Sequence, residues 1–598
     1  MWQSFVVGPL SRLVRGRRVF LLSILMLNCV VAAATADDRR IEAPASDLRD
    51  NRSPWGVATG GEWLSAFPAF NPLLKQAGVG WLRAFYEWQT IEPKHGYWNF
   101  VQPDRLVENA RANDLRLIGV FAYLANWASA DGGTRKFPIK DIQYWRDYVA
   151  AMVGRYHSDI KYWEVWNEFN GSFAENGSPE IYAELVREAS VAAKKIDPTA
   201  KVGMSVANFD VGFLDRAIKA GAANHFDFVC VHPYEKLGQL NDNGEPEFLS
   251  MAGTLRQMLV SNGQSADTPL WITEIGEQAP LGPNKPGDER QAVALAKAYL
   301  LSIAAGFQRV FWFEARGPAY GNGMDHGLVR ADFSPRPAYQ ALKTMTGLLG
   351  SQPAYAGWLD LGGGYGFVFH GAAGDVLAAW SPPNRPATFS FGGDVVVADL
   401  AGNRETIAAG RNLALNGTPV LISGLPHDLV QKAELNRGSA FPWSARHVQG
   451  RLATVRLQAT NLEDGVKQIN MSTTKPVGLG DKSWRQTDFS RPDAEGHYVY
   501  FAVDPQFLPF GTRDIEITAV VRRITPDKMA GMNLNYESQR GYVDAAYQNI
   551  PAGDDWQELT WKLSDANFVG QWGWNFRLNG IASPSDFFVK EVRVRNGR

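Results

Sequence analysis

Glu168 closes the run Trp163-Glu164-Val165-Trp166-Asn167-Glu168, and Glu274 closes the run Leu270-Trp271-Ile272-Thr273-Glu274. Each acid ends a strand-like apolar stretch. A carboxyl in such a place is costly if buried alone. Two of them brought to one pocket have a use. One, protonated, helps a leaving oxygen depart, and the other, ionised, attacks the carbon it leaves, which is the chemistry of glycosidic-bond cleavage. Similar side chains hold different protonation states when their surroundings differ. The aromatic neighbours of Glu168 are expected to favour its neutral form. Arg83 and the Tyr234 hydroxyl are expected to favour an ionised Glu274. The 20 tryptophans suit a sugar ligand, because the C–H face of a pyranose packs well on an indole.

For acids so far apart in sequence to meet, the chain must place both strand ends at one mouth. Between residues 53 and 350, β-type runs alternate with helical runs eight times. The expected helices are 71–76, 103–113, 141–156, 179–195, 212–222, 247–261, 288–305 (capped by Gly306) and 337–349. Eight such units predict a closed (β/α)8 TIM barrel, whose functional residues gather at the C-terminal ends of the strands. Those ends offer Arg83, with Glu87 and Trp88, on strand 2, and Asn126 and Trp127 after strand 3. Strand 4 supplies Trp166, Asn167 and Glu168, and strand 6 supplies His232 and Tyr234. Strand 7 supplies Glu274 and Glu277, and strand 8 Trp312 and Glu314. After Gly350 the pattern becomes short alternating strands split by Gly, Pro and Asn. This predicts a small all-β sandwich domain over 351–428 and a second β-sandwich, of jelly-roll type, over 434–598.

Trp166-Asn167-Glu168 and Ile272-Thr273-Glu274 resemble the signature of the clan A retaining glycoside hydrolases with (β/α)8 barrels. Supporting stretches are Gly80-Trp81-Leu82-Arg83, Trp88-Gln89-Thr90-Ile91-Glu92-Pro93, Gly96-Tyr97-Trp98-Asn99-Phe100 and His232-Pro233-Tyr234. Within the clan the chain looks most like glycoside hydrolase family 39, which holds β-xylosidases, iduronidases and enzymes that cut bacterial exopolysaccharides. The resemblance implies that Glu168 is the acid/base and Glu274 the nucleophile. It implies that Asn167 bonds the sugar 2-OH, that Arg83 holds Glu274 ionised and that Tyr234 orients it. By the same resemblance His232 lines the pocket, Trp312 is the floor under the cleaved sugar and Trp127 stacks a neighbouring one. Arg83-Ala84-Phe85-Tyr86 lacks the histidine that the family's xylosidases tend to carry there, so this stretch looks closer to the polysaccharide-cutting members. The terminal sandwich, with Trp556, Trp561, Trp572, Trp574, Tyr536 and Tyr547, looks like a carbohydrate-binding module.

The formal net charge of −2 leaves no basic footprint for nucleic acid. Arg12, Arg15, Arg17 and Arg18 precede the apolar run VFLLSILMLNCVVAAA and the small-residue site Ala34-Thr35-Ala36. That is the pattern of a signal peptide over 1–36, followed by a linker over 37–52, and it predicts a periplasmic or extracellular protein with no membrane association after cleavage. The mature chain would keep one cysteine, Cys230, within an apolar run, where a buried thiol is expected. No Gly-rich phosphate loop, paired-cysteine or HExxH metal pattern, or serine elbow occurs, so neither metal nor cofactor is expected. The expected partner is a polysaccharide or oligosaccharide, cut internally in a bacterial exopolysaccharide or β-glycan. The alternatives are an exo-acting β-glycosidase such as a β-xylosidase, a transglycosylase, and a non-catalytic polysaccharide-binding protein. Oligomeric state is not legible in the sequence.

Overall fold

The computed structural model describes residues 53–597 apart from 61–62, 243, 318–320, 373, 384, 444–449 and 481. The signal peptide and linker expected over 1–52 lie outside the described residues. Among those described, no helix is long and apolar enough to cross a membrane.

Eight parallel strands close into a barrel: β1 (Trp55–Ala58), β2 (Trp81–Glu87), β3 (Arg116–Ala122), β4 (Tyr162–Val165), β5 (Lys201–Ala207), β6 (Phe228–His232), β7 (Leu270–Ile275) and β8 (Arg309–Phe313). Closure is made by β1 pairing with both β2 and β8. The strands are buried on both faces, which is why they read as apolar runs rather than as alternating ones. Side chains pointing inward from alternate positions fill the barrel. Trp81, Ile118, Phe228, Cys230, Trp271 and Phe311 form an interior cluster. The Arg309 guanidinium carbon lies 4.3 Å from the ring centres of both Trp81 and Trp271. Cys230 is buried there as a free thiol. A second and larger core lies between strands and helices, and includes Trp55, Trp88, Trp145, Trp163, Trp166 and Trp312.

The helices follow the sequence pattern with understandable differences at their ends. Trp63–Gln76 begins well before residue 71, with Pro68 and Pro72 inside it, so its first half does not read as helical. Pro179–Ile196 and Lys285–Ala305 start on capping side chains of Ser178 and Asn284. Gly306 ends the latter with φ +97°, the left-handed cap that glycine adopts without strain.

Beyond the barrel, a six-stranded antiparallel sheet runs from Ala354–Asp360 to Val420–Ser423. A two-stranded ribbon, Ala387–Ser390 with Asn412–Leu415, adds Phe389, Leu413 and Leu415 to its core. One element was not expected. A helix, His427–Asn436, spans the stretch between the two anticipated β regions and buries Val430 and Ala433. One turn of buried positions is too little periodicity to announce a helix. Among the described residues the C-terminal region is a thirteen-stranded, mainly antiparallel sheet that wraps one core. Its two halves join through the pair Ser538–Ala566, between Gly531–Ser538 and Gln557–Ala566, and through the bridge Thr454–Gly465. Of its aromatic residues, Trp561 is core and Trp574 stacks on Tyr542, whereas Trp572 is exposed.

Candidate active site

Arg83 is the third residue of β2, inside the barrel rather than at its rim, and is wholly buried. It survives there because each of its three nitrogens donates to a buried partner. Nε donates to Glu164 Oε2 at 2.8 Å, and Nη2 to Glu164 Oε1 and Asn167 Oδ1, both at 2.9 Å. Nη1 donates to Glu274 Oε1 at 2.5 Å. Burial alone would weaken Arg83's hold on its proton, but Glu164 and Glu274 more than restore it.

Two local departures from regular strand geometry bring the acids to this guanidinium. At the end of β4, Trp166 and Glu168 take φ of +64° and +51°. A left-handed tryptophan is costly, on the order of 1 kcal/mol or more. The reward is that strand alternation breaks, so the consecutive side chains of Asn167 and Glu168 reach one cluster. On β7 the pairing with β8 shifts register between Ile272 and Ile275. This bulge likewise lets consecutive residues serve the interior: Thr273 meets His232, and Glu274 meets Arg83.

His232, the last residue of β6, ties the acids together. Its Nδ1 is 2.9 Å from Glu168 Oε1, and its Nε2 is 3.0 Å from Thr273 Oγ1, which donates to Glu164 Oε1 at 3.4 Å. Burial opposes a charged imidazole, yet Glu274, Glu164 and Glu168 outweigh it and push His232 up to about 9. In that state both ring nitrogens donate, which is what their neighbours require. The Tyr234 hydroxyl donates to Glu274 Oε2 at 3.0 Å.

Glu164 was given no role from sequence, and it is the deepest of the three acids. Burial pushes its carboxyl up, but the Arg83 charge and the His232 and Arg83 hydrogen bonds bring it down to about 2. Its signal was available: an acid two residues before Trp166 inside a fully apolar strand has to be paired. Glu274 differs from expectation. Burial is the largest influence and pushes its carboxyl upward, against the pull of His232 and Arg83 and with the nearby Glu168 and Glu164 adding to the rise. The side chains of Glu164, Glu274 and Glu168 are 0%, 7% and 18% exposed, so only Glu168 opens appreciably to solvent.

Arg83, Asn167, Glu168, His232, Tyr234 and Glu274 therefore form one cluster. Two anticipated residues do not join it. Trp312 is fully buried in the outer core, with its Nε1 donating to the His326 carbonyl, so no sugar can lie on it. The neighbouring Phe313, half-buried and on the opposite face of β8, stands edge-on to Tyr234 at 6.3 Å and to His326 at 5.4 Å. Trp127 belongs to an aromatic group, stacked on His95 at 4.5 Å and edge-on to Trp88 and Tyr144, with its Nε1 donating to the Glu92 carbonyl. Trp163 and Trp166, the aromatic neighbours expected around the Glu168 carboxyl, also lie in the outer core.

One atom each from Glu168, His232 and Glu274 lie within 4.8 Å of one another, a spacing that a metal ion accepts. The cluster's charge argues otherwise. Arg83 is already bonded to Glu274, and a protonated His232 has no lone pair to offer.

The two buried charges set a pH window for stability. His232 is raised from 6.5 to about 9, so its contribution is complete below pH 6.5 and is lost as pH rises to 9. Glu164 is lowered from 4.5 to about 2, so its contribution is complete above pH 4.5 and is lost as pH falls to 2. Chemical-denaturation midpoints should be highest between these limits and fall on both sides. Midpoints that keep rising from pH 6.5 to 9 would contradict a charged His232.

No protein-family model matches the chain. The endo-1,4-beta-xylanase 3 of Hypocrea jecorina is 25% identical over 343 residues, which make up 54% of this chain and 91% of the xylanase. A family 39 glycoside hydrolase from the gut symbiont Bacteroides cellulosilyticus WH2 superposes with a TM-score of 0.53 at 21% identity. That likeness covers 63% of this chain and 82% of the other, and the fold is common to both.

Proposed function

We propose that the protein is a clan A glycoside hydrolase that cuts a polysaccharide internally with retention of anomeric configuration. Glu274 acts as nucleophile and Glu168 as acid/base. The observation that carries this reading is the approach of the two carboxyls, one oxygen of each lying within 4.8 Å of the other. Retaining enzymes hold their carboxyls roughly 5–5.5 Å apart, whereas inverting enzymes need room for a water, about 6.5–9.5 Å.

The charges suit the roles. Arg83 and His232 are two buried cations, and Glu164 and Glu274 are two carboxylates to balance them. Glu168, the most exposed of the acids, exchanges its proton with substrate and water. In the first step Glu274 attacks the anomeric carbon, the bond to the leaving oxygen breaks, and Glu168 gives that oxygen its proton. In the second, Glu168 takes a proton from water, whose oxygen displaces Glu274 from the same carbon. Asn167 accepts from Arg83 through Oδ1, which leaves its Nδ2 to donate to the sugar 2-OH. Phe313 takes the place beneath the sugar that Trp312 cannot fill.

The substrate is a bacterial exopolysaccharide or a β-glycan. The 25% identity to a protein named endo-1,4-beta-xylanase supports a backbone-cutting activity on such a polymer. Export to the periplasm or beyond is part of the same reading and rests on the N-terminal sequence. The test is a panel of bacterial exopolysaccharides and plant β-glycans, xylan included, with products sized over time. A ladder of intermediate lengths is expected from one of them. Release of single sugars from chain ends alone would contradict internal cutting.

A further inference from the structure

The C-terminal sandwich meets the barrel at segments that follow the C-terminal ends of β5 and β6. Its loop 568–574 is built around Glu537, 2% exposed, which accepts backbone N–H bonds from Val569 and Gly570, both at 2.8 Å, and from Gln571 at 2.6 Å. Asn575 Nδ2 donates to the same carboxylate at 2.8 Å. The loop is thus fixed from within by one buried acid.

It is also fixed to the barrel. Gln571 Nε2 donates to Asp210 Oδ2 at 2.9 Å, and Gln239 Nε2 donates to the Gly573 carbonyl at 2.6 Å. Asp210 follows β5 and Gln239 follows β6, so both contacts are made at the C-terminal face. Gly570 and Gly573 take φ of +69° and +82°, which favour glycine, and a Cβ on either would lie within 2.6 Å of the side-chain ends of Lys236 and Gln239.

These docking points adjoin the reacting groups. Asp210 Oδ2 also accepts from Asn170 Nδ2 at 2.9 Å, and Asn170 is two residues past Glu168. Glu235, which adjoins Tyr234, has its Cβ 3.7 Å from where a Cβ of Gly573 would stand. Between the two docked residues Gln571 and Gly573 stands Trp572, with 54% of its surface open to solvent. Single exposed hydrophobic residues are ordinary. An exposed indole on a doubly anchored loop, linked through Asp210 to the segment that follows Glu168, is placed to bind, since little freedom is left to lose.

We infer that loop 568–574 is a wall of the barrel's own cleft, and that Trp572 stacks a sugar of the chain on the leaving-group side. The side follows from Glu168, which protonates the leaving oxygen, so the inference rests on the proposed catalytic roles. It makes the sandwich part of the catalytic cleft, where a separately tethered binding module would touch the polymer elsewhere.

The test is kcat/KM across size-fractionated oligosaccharides of the polymer that the wild type cuts, using the full chain. Trp572→Ala should lose about ten-fold on the longest oligomer relative to the shortest, a stacking-sized effect. Trp572→Phe should keep most of the length dependence. Leu479→Ala, at a residue 90% exposed on the strand Thr474–Leu479, should leave the whole series unchanged. An equal loss at every length, or none at the longest, overturns the inference. Glu274→Gln is run alongside: if it turns over oligosaccharides like the wild type, the catalytic assignment fails, whatever the length series shows.

Discussion

Glu274→Gln is expected to lower turnover on the responding polymer by roughly 10³- to 10⁶-fold, the range seen when a catalytic nucleophile is removed. Glutamine is nearly isosteric, and its amide oxygen can still accept from Arg83, so fold and polymer binding should persist. Arg83 keeps its two bonds to Glu164 in any case. The loss should therefore appear in kcat with little change in KM. Glu168→Ala should behave differently. It should fall least on aryl glycosides whose leaving groups depart without a proton, and added azide should restore rate by taking the place of the second-step water. A Glu274→Gln variant within ten-fold of wild type would remove that residue from the chemistry.

Arg83→Met should produce the largest loss of stability. The substitution approximates the volume of the side chain but leaves Glu164, which is 0% exposed, with only Thr273 and His232, and Glu274 with only Tyr234 and His232. Breaking a buried pair by removing one partner costs about 3–5 kcal/mol, because the remaining charge stays buried. Against a typical stability of about 5–15 kcal/mol, that is a large share. Arg83→Lys should rescue little of it, since one ammonium cannot span Glu164, Asn167 and Glu274 with the same planar fork. Replacing Glu164 by Gln in the Arg83→Met background should recover part of the loss by removing the stranded charge. Urea-denaturation midpoints check all three, and a single variant within about 1 kcal/mol of wild type would contradict the account of the cluster.

The barrel was legible because eight apolar strands buried on both faces alternate with helices, and that alternation survives in sequence even where prolines obscure a helix start. Glu168 and Glu274 were legible because an acid after such a strand stands out. Which face each residue presents was not. Trp312 and Phe313 differ by one position, and on a strand that is the difference between outer core and pocket. The left-handed residues Trp166 and Glu168 and the β7 bulge break the same alternation, so Asn167 and Glu274 reach the interior against the simple pattern. Trp127 was placed by loop position alone, and its surroundings of His95, Trp88 and Tyr144 come from residues no periodicity connects. Contact between loop 568–574 and Asp210 joins residues 361 positions apart, which no local pattern announces.

The central claim, that Glu274 and Glu168 act in succession on one anomeric carbon, is tested most directly by proton NMR of the first product formed from the responding glycan. Spectra are taken before mutarotation mixes the anomers. Double displacement predicts that the new reducing end appears first with the configuration of the bond that was cut. A first product of opposite configuration would mean a single displacement by water, and Glu274 would not be the nucleophile.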